Sequence, residues 1–420
     1  MKELHMNRRA LLRGAAGLAL GAGAGAGASV AAATSGDWEA LAASYDIAGD
    51  FINLENAYYG IMARPVAEAF KRNIDTLNTY NSQYLRTRFD RTDIETVRAR
   101  LAAHAGVGVH ELAHTRNATE ALQILIGNNR RVGAGDTIIM GNLDYNIMQD
   151  AMNDLALRRG ASVFTVQVPE PATRQNVIDA YARALERHPR ARLLLLTHIS
   201  HRTGLVLPVA EIVQIARARK VDVVVDAAQS YGQLDFKLPD FGADFVGVNL
   251  HKWIGAPLGT GFLYIREGRL GDIAIQAGNT EHPADDIRSR VHAGTINAAA
   301  VMTIPAALDF HARFTLAERS ARLRRLRDRW VHQVRALPQV QVLTPDDPAM
   351  YGAVTSFRLR SQTGFEDNVA LARRLAEEYG IFTVARNGPV GGSCIRVTPS
   401  YFTRDAELDK LADAIRVMAA

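Results

Sequence analysis

The sequence is poor in cysteine, with Cys394 the single one in 420 residues, so no intrachain disulfide supports the fold in any redox compartment. Glycine and proline, at 33 and 14, are at ordinary globular levels, which excludes a collagen-like array or a dominant disordered tail. No internal repeat recurs at a period of 20–50 residues. Excess charge of one sign is also scarce. The formal net charge is +5, of which Lys2, Arg8, Arg9 and Arg13 against Glu3 supply +3, leaving about +2 for the 387 residues that follow Ala33. A nucleic-acid face needs Lys and Arg clustered on one side. The dense run from Arg319 to Arg335 interleaves its arginines with Leu323, Leu326 and Trp330, which reads as an amphipathic helix with a solvated face. No nucleic-acid partner is expected. What is present is an apolar content of 48%, enough for a large domain with a smaller companion.

At the amino terminus, Asn7-Arg8-Arg9-Ala10-Leu11-Leu12 opens an Ala/Gly-rich stretch that ends in Ala31-Ala32-Ala33, a small-residue cleavage pattern. This resembles a twin-arginine export signal, with Met6 as good a start as Met1. It implies the Tat export machinery as a partner, cleavage near Ala33, and a periplasmic or secreted mature protein. Alanine and glycine transfer weakly into hydrocarbon, so a stable membrane anchor is not expected. The same stretch, Gly21 to Ala26, matches G-x-G-x-x-A by letter. It is discarded, because no strand precedes it to aim the backbone at a pyrophosphate.

From Leu112 to Ile265 short β-rich runs (Leu112–Thr115, Thr137–Met140, Ser162–Val168, Arg192–His198, Asp222–Asp226, Phe245–Val248, Phe262–Ile265) alternate with helical patterns such as Gln175–His188. Strict alternation predicts an α/β fold whose mainly parallel sheet is covered on both faces, with ligands at the carboxyl ends of the strands. After helices around Pro305–Arg335, the strand-like runs Val340–Leu343, Val354–Leu359, Ile381–Val384 and Ile395–Val397, with a helix near Val369–Tyr379, predict a smaller α+β domain. The expected division is 1–33 signal, 34–50 a segment packing on the small domain, 51–308 the large domain and 309–420 the small one.

His110-Glu111-Leu112-Ala113-His114 spells the zinc-protease motif, which works only on a helix, where both histidines share a face. Here Gly106 and Gly108 precede it and Leu112–Thr115 reads as a strand. No metal site is expected.

Chemistry concentrates elsewhere. Val223-Val224-Val225-Asp226 is a doubly buried strand that delivers a carboxylate, and a buried carboxylate needs a partner. Twenty-six residues later His251-Lys252-Trp253 delivers an amine, followed by the glycine-rich Gly255–Gly261. A carboxylate and an amine at neighbouring strand ends can build a pyridoxal phosphate (PLP) site, the lysine forming a Schiff base and the aspartate keeping the pyridine nitrogen protonated. A direct Asp226–Lys252 ion pair at about 4 Å would be worth on the order of 4 kcal/mol before desolvation; a plain surface pair is the competing reading. Thr115-Arg116-Asn117-Ala118-Thr119-Glu120 sits at a strand-to-helix junction suited to phosphate, and equally to an N-cap. Tyr145 offers an aromatic face for a cofactor ring, or is an ordinary loop tyrosine.

The ordered set Asp226-Ala-Ala-Gln229, His251-Lys252-Trp253 with Pro257 and Gly259-Thr260-Gly261, Gly294-Thr295, and Ile395-Arg396-Val397 before Tyr401 resembles the class V aminotransferase family, and within it the isopenicillin N epimerase-like branch, near the cysteine desulfurases. The resemblance runs from about Phe51 to the end and implies the PLP-dependent fold type I. It implies Lys252 as the cofactor lysine and proton shuttle, Asp226 on the pyridinium, and Gln229 on the ring phenolate oxygen. It further implies Ala118, Thr119, His251 and Asn249 at the phosphate, Tyr145 at the ring, Thr295 reaching the phosphate of a partner subunit in a homodimer, and Arg396 clamping the substrate α-carboxylate, with His201 beside the ring. Desulfurases often carry asparagine where this chain has His201. They also carry a persulfide-forming cysteine on a loop upstream of the arginine; the corresponding Ala385–Pro389 has none, and Cys394 is read as a buried structural thiol.

The leading expectation is therefore an exported PLP enzyme acting at the α-carbon of an amino acid or a peptide-like metabolite, as an epimerase or an aminotransferase. The alternatives are a C–S β-lyase, a periplasmic modifier of a peptide metabolite such as a siderophore, or an inactive amino-acid-binding protein. Arg86, Arg88 and Arg386 suit an extra substrate carboxylate at the entrance, or surface salt bridges.

Overall fold

Consecutive strand residues point to opposite faces, so the run Val223-Val224-Val225 has to be covered on both. In the computed structural model, which describes residues 35–292 and 294–420, Val223 and Val225 enter one apolar core with Leu194 and Leu196, while Val224 enters another with Leu193 and Leu195. The export signal and its cleavage site lie outside the described residues.

In chain order the strands are β1 (Ile52–Asn53), β2 (Leu112–Thr115), β3 (Thr137–Gly141), β4 (Ser162–Val166), β5 (Ala191–Thr197), β6 (Asp222–Asp226), β7 (Phe245–Asn249), β8 (Gly261–Ile265), β9 (Val340–Val342), β10 (Thr355–Leu359), β11 (Ile381–Phe382), β12 (Val384–Arg386) and β13 (Cys394–Val397). The large sheet has the order β2-β8-β7-β6-β5-β3-β4. Neighbours from β4 to β7 are parallel, whereas β8 is antiparallel to both β7 and β2. The expected strict alternation fails at this edge. Only a 3-10 turn, Leu238–Phe241, lies between β6 and β7, and β8 returns from β7 without a helix. Two reversals leave the carboxyl end of β2 on the same edge as those of β3, β5, β6 and β7.

The second sheet, β12-β13-β10-β9, is antiparallel and has its own core of Trp330, Phe357, Leu375, Ile395 and Leu411. The early strand β1 pairs with β11, and Leu54 enters that core. In the segment before it, Trp38 stacks on Phe314 with ring centroids 4.1 Å apart and Tyr45 lies against Phe402.

One local expectation needs correction. The arginine-rich helix, Leu316–Val334, does not turn one solvated basic face outward. Arg319 and Arg327 are buried, Arg327 bonding Thr344 and Asp328 beneath the Tyr351 ring, while Arg325 and Arg329 pair with Asp405 and Asp409 of the last helix. The strand expected over Leu112–Thr115 is present: His110 sits in a 3-10 turn and His114 in β2, and the Glu111 carboxylate accepts the backbone N–H groups of Gly108 and Glu267.

Candidate active site

The site gathers where the strands end. Asp226 closes β6 and is buried. One of its oxygens accepts the Ala228 N–H at 2.8 Å, and burial pushes its pKa up, against the pull of that bond and of Lys252. Lys252 follows β7, half-buried, its amine in no hydrogen bond or ion pair among the described residues. The expected direct Asp226–Lys252 bridge is therefore absent, and the two couple at longer range. Desolvation lowers the lysine to about 8; Asp226 and Glu55 oppose that shift, and Arg396 and Arg386 add to it.

A segment from the start of the chain closes over the lysine. The Gly60 N–H donates to the His251 carbonyl at 2.8 Å, and a Cβ on Gly60 would lie 1.9 Å from the Lys252 carbonyl oxygen. Gln229 is part of the same closure: its Nε2 donates to the Ala57 carbonyl at 2.7 Å and its Oε1 accepts the Trp253 indole N–H at 3.2 Å. One amide N–H of Gln229 is left for a ligand.

The β2-to-helix junction adjoins the end of β7. Asn117 caps helix Ala118–Gly127 by accepting the Glu120 N–H, and the Asn249 side-chain oxygen accepts the Ala118 N–H at 2.7 Å. Asn249 thus holds the helix start, and Ala118 spends its donor there. Among the described residues Thr119 keeps an unpaired hydroxyl and, as the second residue of the helix, a backbone N–H without an intrahelical partner. Gly261 permits this junction, since a Cβ there would lie 2.6 Å from the Val248 carbonyl and 2.8 Å from Asn117 Cα. His251 faces the Thr260 carbonyl at 3.4 Å, and burial lowers it to about 4.

Tyr145 begins helix Asn146–Arg159 and meets His201 edge to face, with centroids 5.2 Å apart. His201 is held well below its usual range by burial and by Arg202, Arg396, Arg386 and Lys252. Beside it Arg396, 2% exposed, donates from Nη1 to the His201 carbonyl at 2.6 Å and from Nε and Nη2 to the Glu55 carboxylate. Arg386 approaches the same carboxylate at 3.6 Å.

Not every candidate converges here. Thr295 is exposed and lines a separate cavity of about 860 Å³ with Arg86, Phe89 and Arg288. Arg88 pairs with Asp93 and lies over the Tyr84 ring. Cys394 is buried, its thiol pushed up to about 11 by desolvation.

Two site residues escaped the sequence reading. Glu55 lies between Leu54 and Asn56 with Asn53 close by, a polar setting in which an acid carries no distinguishing signal. Asp144 precedes Tyr145 and accepts the N–H groups of Gly141 at 2.7 Å and Thr197 at 3.0 Å. Burial raises it to about 7, with Asp226 adding to the shift.

Known proteins carry the same framework. The chain is 30% identical over 335 residues to isopenicillin N epimerase of Streptomyces clavuligerus, covering 76% of this chain and 82% of that protein. It is 31% identical over 219 residues to a probable chloroplastic L-cysteine desulfhydrase of Arabidopsis thaliana, covering 49% and 46% of the two chains. The solved structure of a lysine-to-alanine mutant of C-DES, with glycine covalently linked to its PLP cofactor, superposes with a TM-score of 0.76 at 25% identity, covering 87% of this chain and 96% of that one. The model of the class V aminotransferases matches residues 67–410, a span that takes in the large sheet with its strand-end site and the antiparallel sheet bearing Arg396, and the chain belongs to that family.

Proposed function

We propose that this protein is an exported PLP-dependent enzyme acting at the α-carbon of an amino acid, or of a peptide-like metabolite with a free amine, as an epimerase or aminotransferase. The observation that carries the reading is Lys252: an amine without a hydrogen bond or ion pair among the described residues, lowered to about 8, at the strand-end edge it shares with the buried Asp226. The residues present fit the cofactor. Lys252 is free to hold it covalently, Asp226 has an oxygen without a hydrogen bond for the pyridine nitrogen, Gln229 retains an N–H for the ring oxygen, and the Thr119 hydroxyl and N–H await a phosphate. When bound, PLP supplies an electron sink for charge developing at the substrate α-carbon.

The chain's own groups do the rest. Arg396 has five N–H donors, of which Glu55 and His201 take three. One N–H remains on each terminal nitrogen, the number a bidentate carboxylate needs. Lys252, near 8, is matched to moving a proton on and off carbon close to neutral pH. Tyr145 and His201 wall one side.

Titrating the purified protein, loaded with PLP, with D- and L-amino acids tests this through its visible spectrum. Substrate-dependent change is expected, with turnover lost in Lys252→Ala; a Lys252→Ala variant turning over at near-normal rate refutes it. Conversion of the bound cofactor to its amine form marks a transaminase, and exchange of the α-proton with solvent without that conversion an epimerase. A second reading, C–S bond cleavage, is favoured by the desulfhydrase relative and tested by release of sulfide from cysteine or cystine.

The reading includes Tat-dependent export, supported by Arg8-Arg9 and the alanines ending at Ala33. Cell fractionation with amino-terminal sequencing tests it, with retention in the cytoplasm expected after Arg8→Lys with Arg9→Lys. It also includes a homodimer in which Thr295 serves the partner's site, supported by Thr295 lining a cavity with Arg86, Phe89 and Arg288 and not with Lys252. Light scattering that reports a monomer overturns that part.

A further inference from the structure

Arg386 and Arg396 lie on paired strands. Arg386 of β12 is opposite Cys394 of β13, so Arg396, two residues on, is its diagonal neighbour on the same face. Such neighbours have Cα atoms about 7–8 Å apart. Among the described residues these two guanidinium groups share a single carboxylate, Glu55. The sharing is unequal. Both Glu55 oxygens are engaged side-on by Arg396, and Arg386 reaches one of them only at 3.6 Å, beyond hydrogen-bond distance. The Nε of Arg386 is buried with no hydrogen-bond partner among the described residues, as is the Nε of Arg202 next to it. Arg202 spends Nη1 on the carbonyl and side-chain oxygens of Asn387 and forms no ion pair among the described residues.

This corner holds more positive charge than its own acid balances. Burial and the neighbouring guanidinium groups lower Arg386 to about 10, as befits a cation without an adequate counter-ion. One substrate α-carboxylate on Arg396 leaves Arg386 still unmatched.

We propose that the substrate is an amino acid carrying a second anionic group, its α-carboxylate on the free edge of Arg396 and its second anion on Arg386. Arg386 is the specificity-determining residue, and Glu55, fixed beside β13 by its backbone bridge to Thr398, positions Arg396. The proposal rests on the reading of the protein as an enzyme that acts on amino acids.

The test compares glutamate with glutamine and aspartate with asparagine, each pair close in shape and different in charge, in both hands. Spectral Kd and kcat/KM are measured on the PLP-loaded enzyme. The wild type is expected to prefer the acid of a pair by at least tenfold, through Kd and KM more than kcat. Arg386→Gln is expected to lower the acid-to-amide ratio at least tenfold, and Arg386→Lys, which keeps the charge, to restore part of it. Glu55→Gln is expected to raise KM for both members of a pair together, with Glu55→Asp recovering less than half of the loss. Equal handling of acid and amide by the wild type overturns the proposal even if a variant fails to fold, while leaving the enzyme reading intact. Equal loss for acid and amide in a folded Arg386→Gln overturns it too. A spectrum unmoved by every amino acid of either hand sinks the enzyme reading and this one with it.

Discussion

The lowered pKa of Lys252 is open to direct measurement. An ordinary lysine titrates near 10.5 and this one near 8, a shift worth about 3 kcal/mol against the charged form. Burial is the larger cause, and Asp226 the chief opposing one. The neutral amine would be roughly one-tenth of the population at pH 7 and nine-tenths at pH 9, a rise of about tenfold. For a solvated lysine the same interval brings a rise of about a hundredfold from a much lower start. Brief labelling of cofactor-free protein with acetic anhydride across this range, with mass spectrometry of the peptide containing Lys252, reads that fraction. The expected midpoint is near 8, moving lower in Asp226→Asn because the charge that favours the ammonium is gone. Linkage gives a second reading. The unfolded lysine holds its proton up to about 10.5 and the folded one only to about 8, so this residue makes stability rise with pH between the two. A midpoint at 10 or above, or an unchanged midpoint in a folded Asp226→Asn, would refute both the desolvation and the coupling.

Three further outcomes follow from the same geometry. Asp144, raised from 3.8 to about 7 by burial, holds its proton more tightly folded than unfolded, so its contribution to stability is complete below pH 4 and lost by up to about 4 kcal/mol as pH rises through 7; urea melts should show this slope in the wild type and not in Asp144→Asn. Gly60→Ala places a methyl group 1.9 Å from the Lys252 carbonyl and should weaken PLP retention on dialysis by tenfold or more while the melting temperature falls only a few degrees. Trp330, fully buried against Phe357, should cost about 3–5 kcal/mol when truncated to alanine, measured by denaturant unfolding, and a loss below 1 kcal/mol would contradict its place in the second core.

Much of the framework was legible along the chain. A run such as Val223–Asp226 carries its own instruction: consecutive branched apolar residues can only be covered from both faces, and the acid that ends the run must face a ligand or a partner. The same logic found Lys252 after β7, whereas Arg396 in β13 came from the family resemblance. The antiparallel return of β8 was not legible, because an apolar run of five residues has the same pattern whichever way it is traversed. The burial of Arg319 and Arg327 was missed for a related reason. Helical periodicity reports which residues share a face, and here another helix and the Tyr351 ring cover part of the face that composition assigned to solvent.

The sequence by itself determined the elements, the strand-end location of Asp226 and Lys252, and the chemistry that an aspartate, a lysine and an arginine in that order support. Only the tertiary structure decided which charges meet. Glu55 and Arg396 are 341 positions apart, Gly60 is laid over Lys252, and Asp144 is buried beside Asp226. The division follows from the forces involved. Backbone conformation and hydrophobic pattern act over a few residues and leave a periodic trace, whereas the pairing and desolvation of charges depend on distance and solvent access in space, which a linear order of residues does not record.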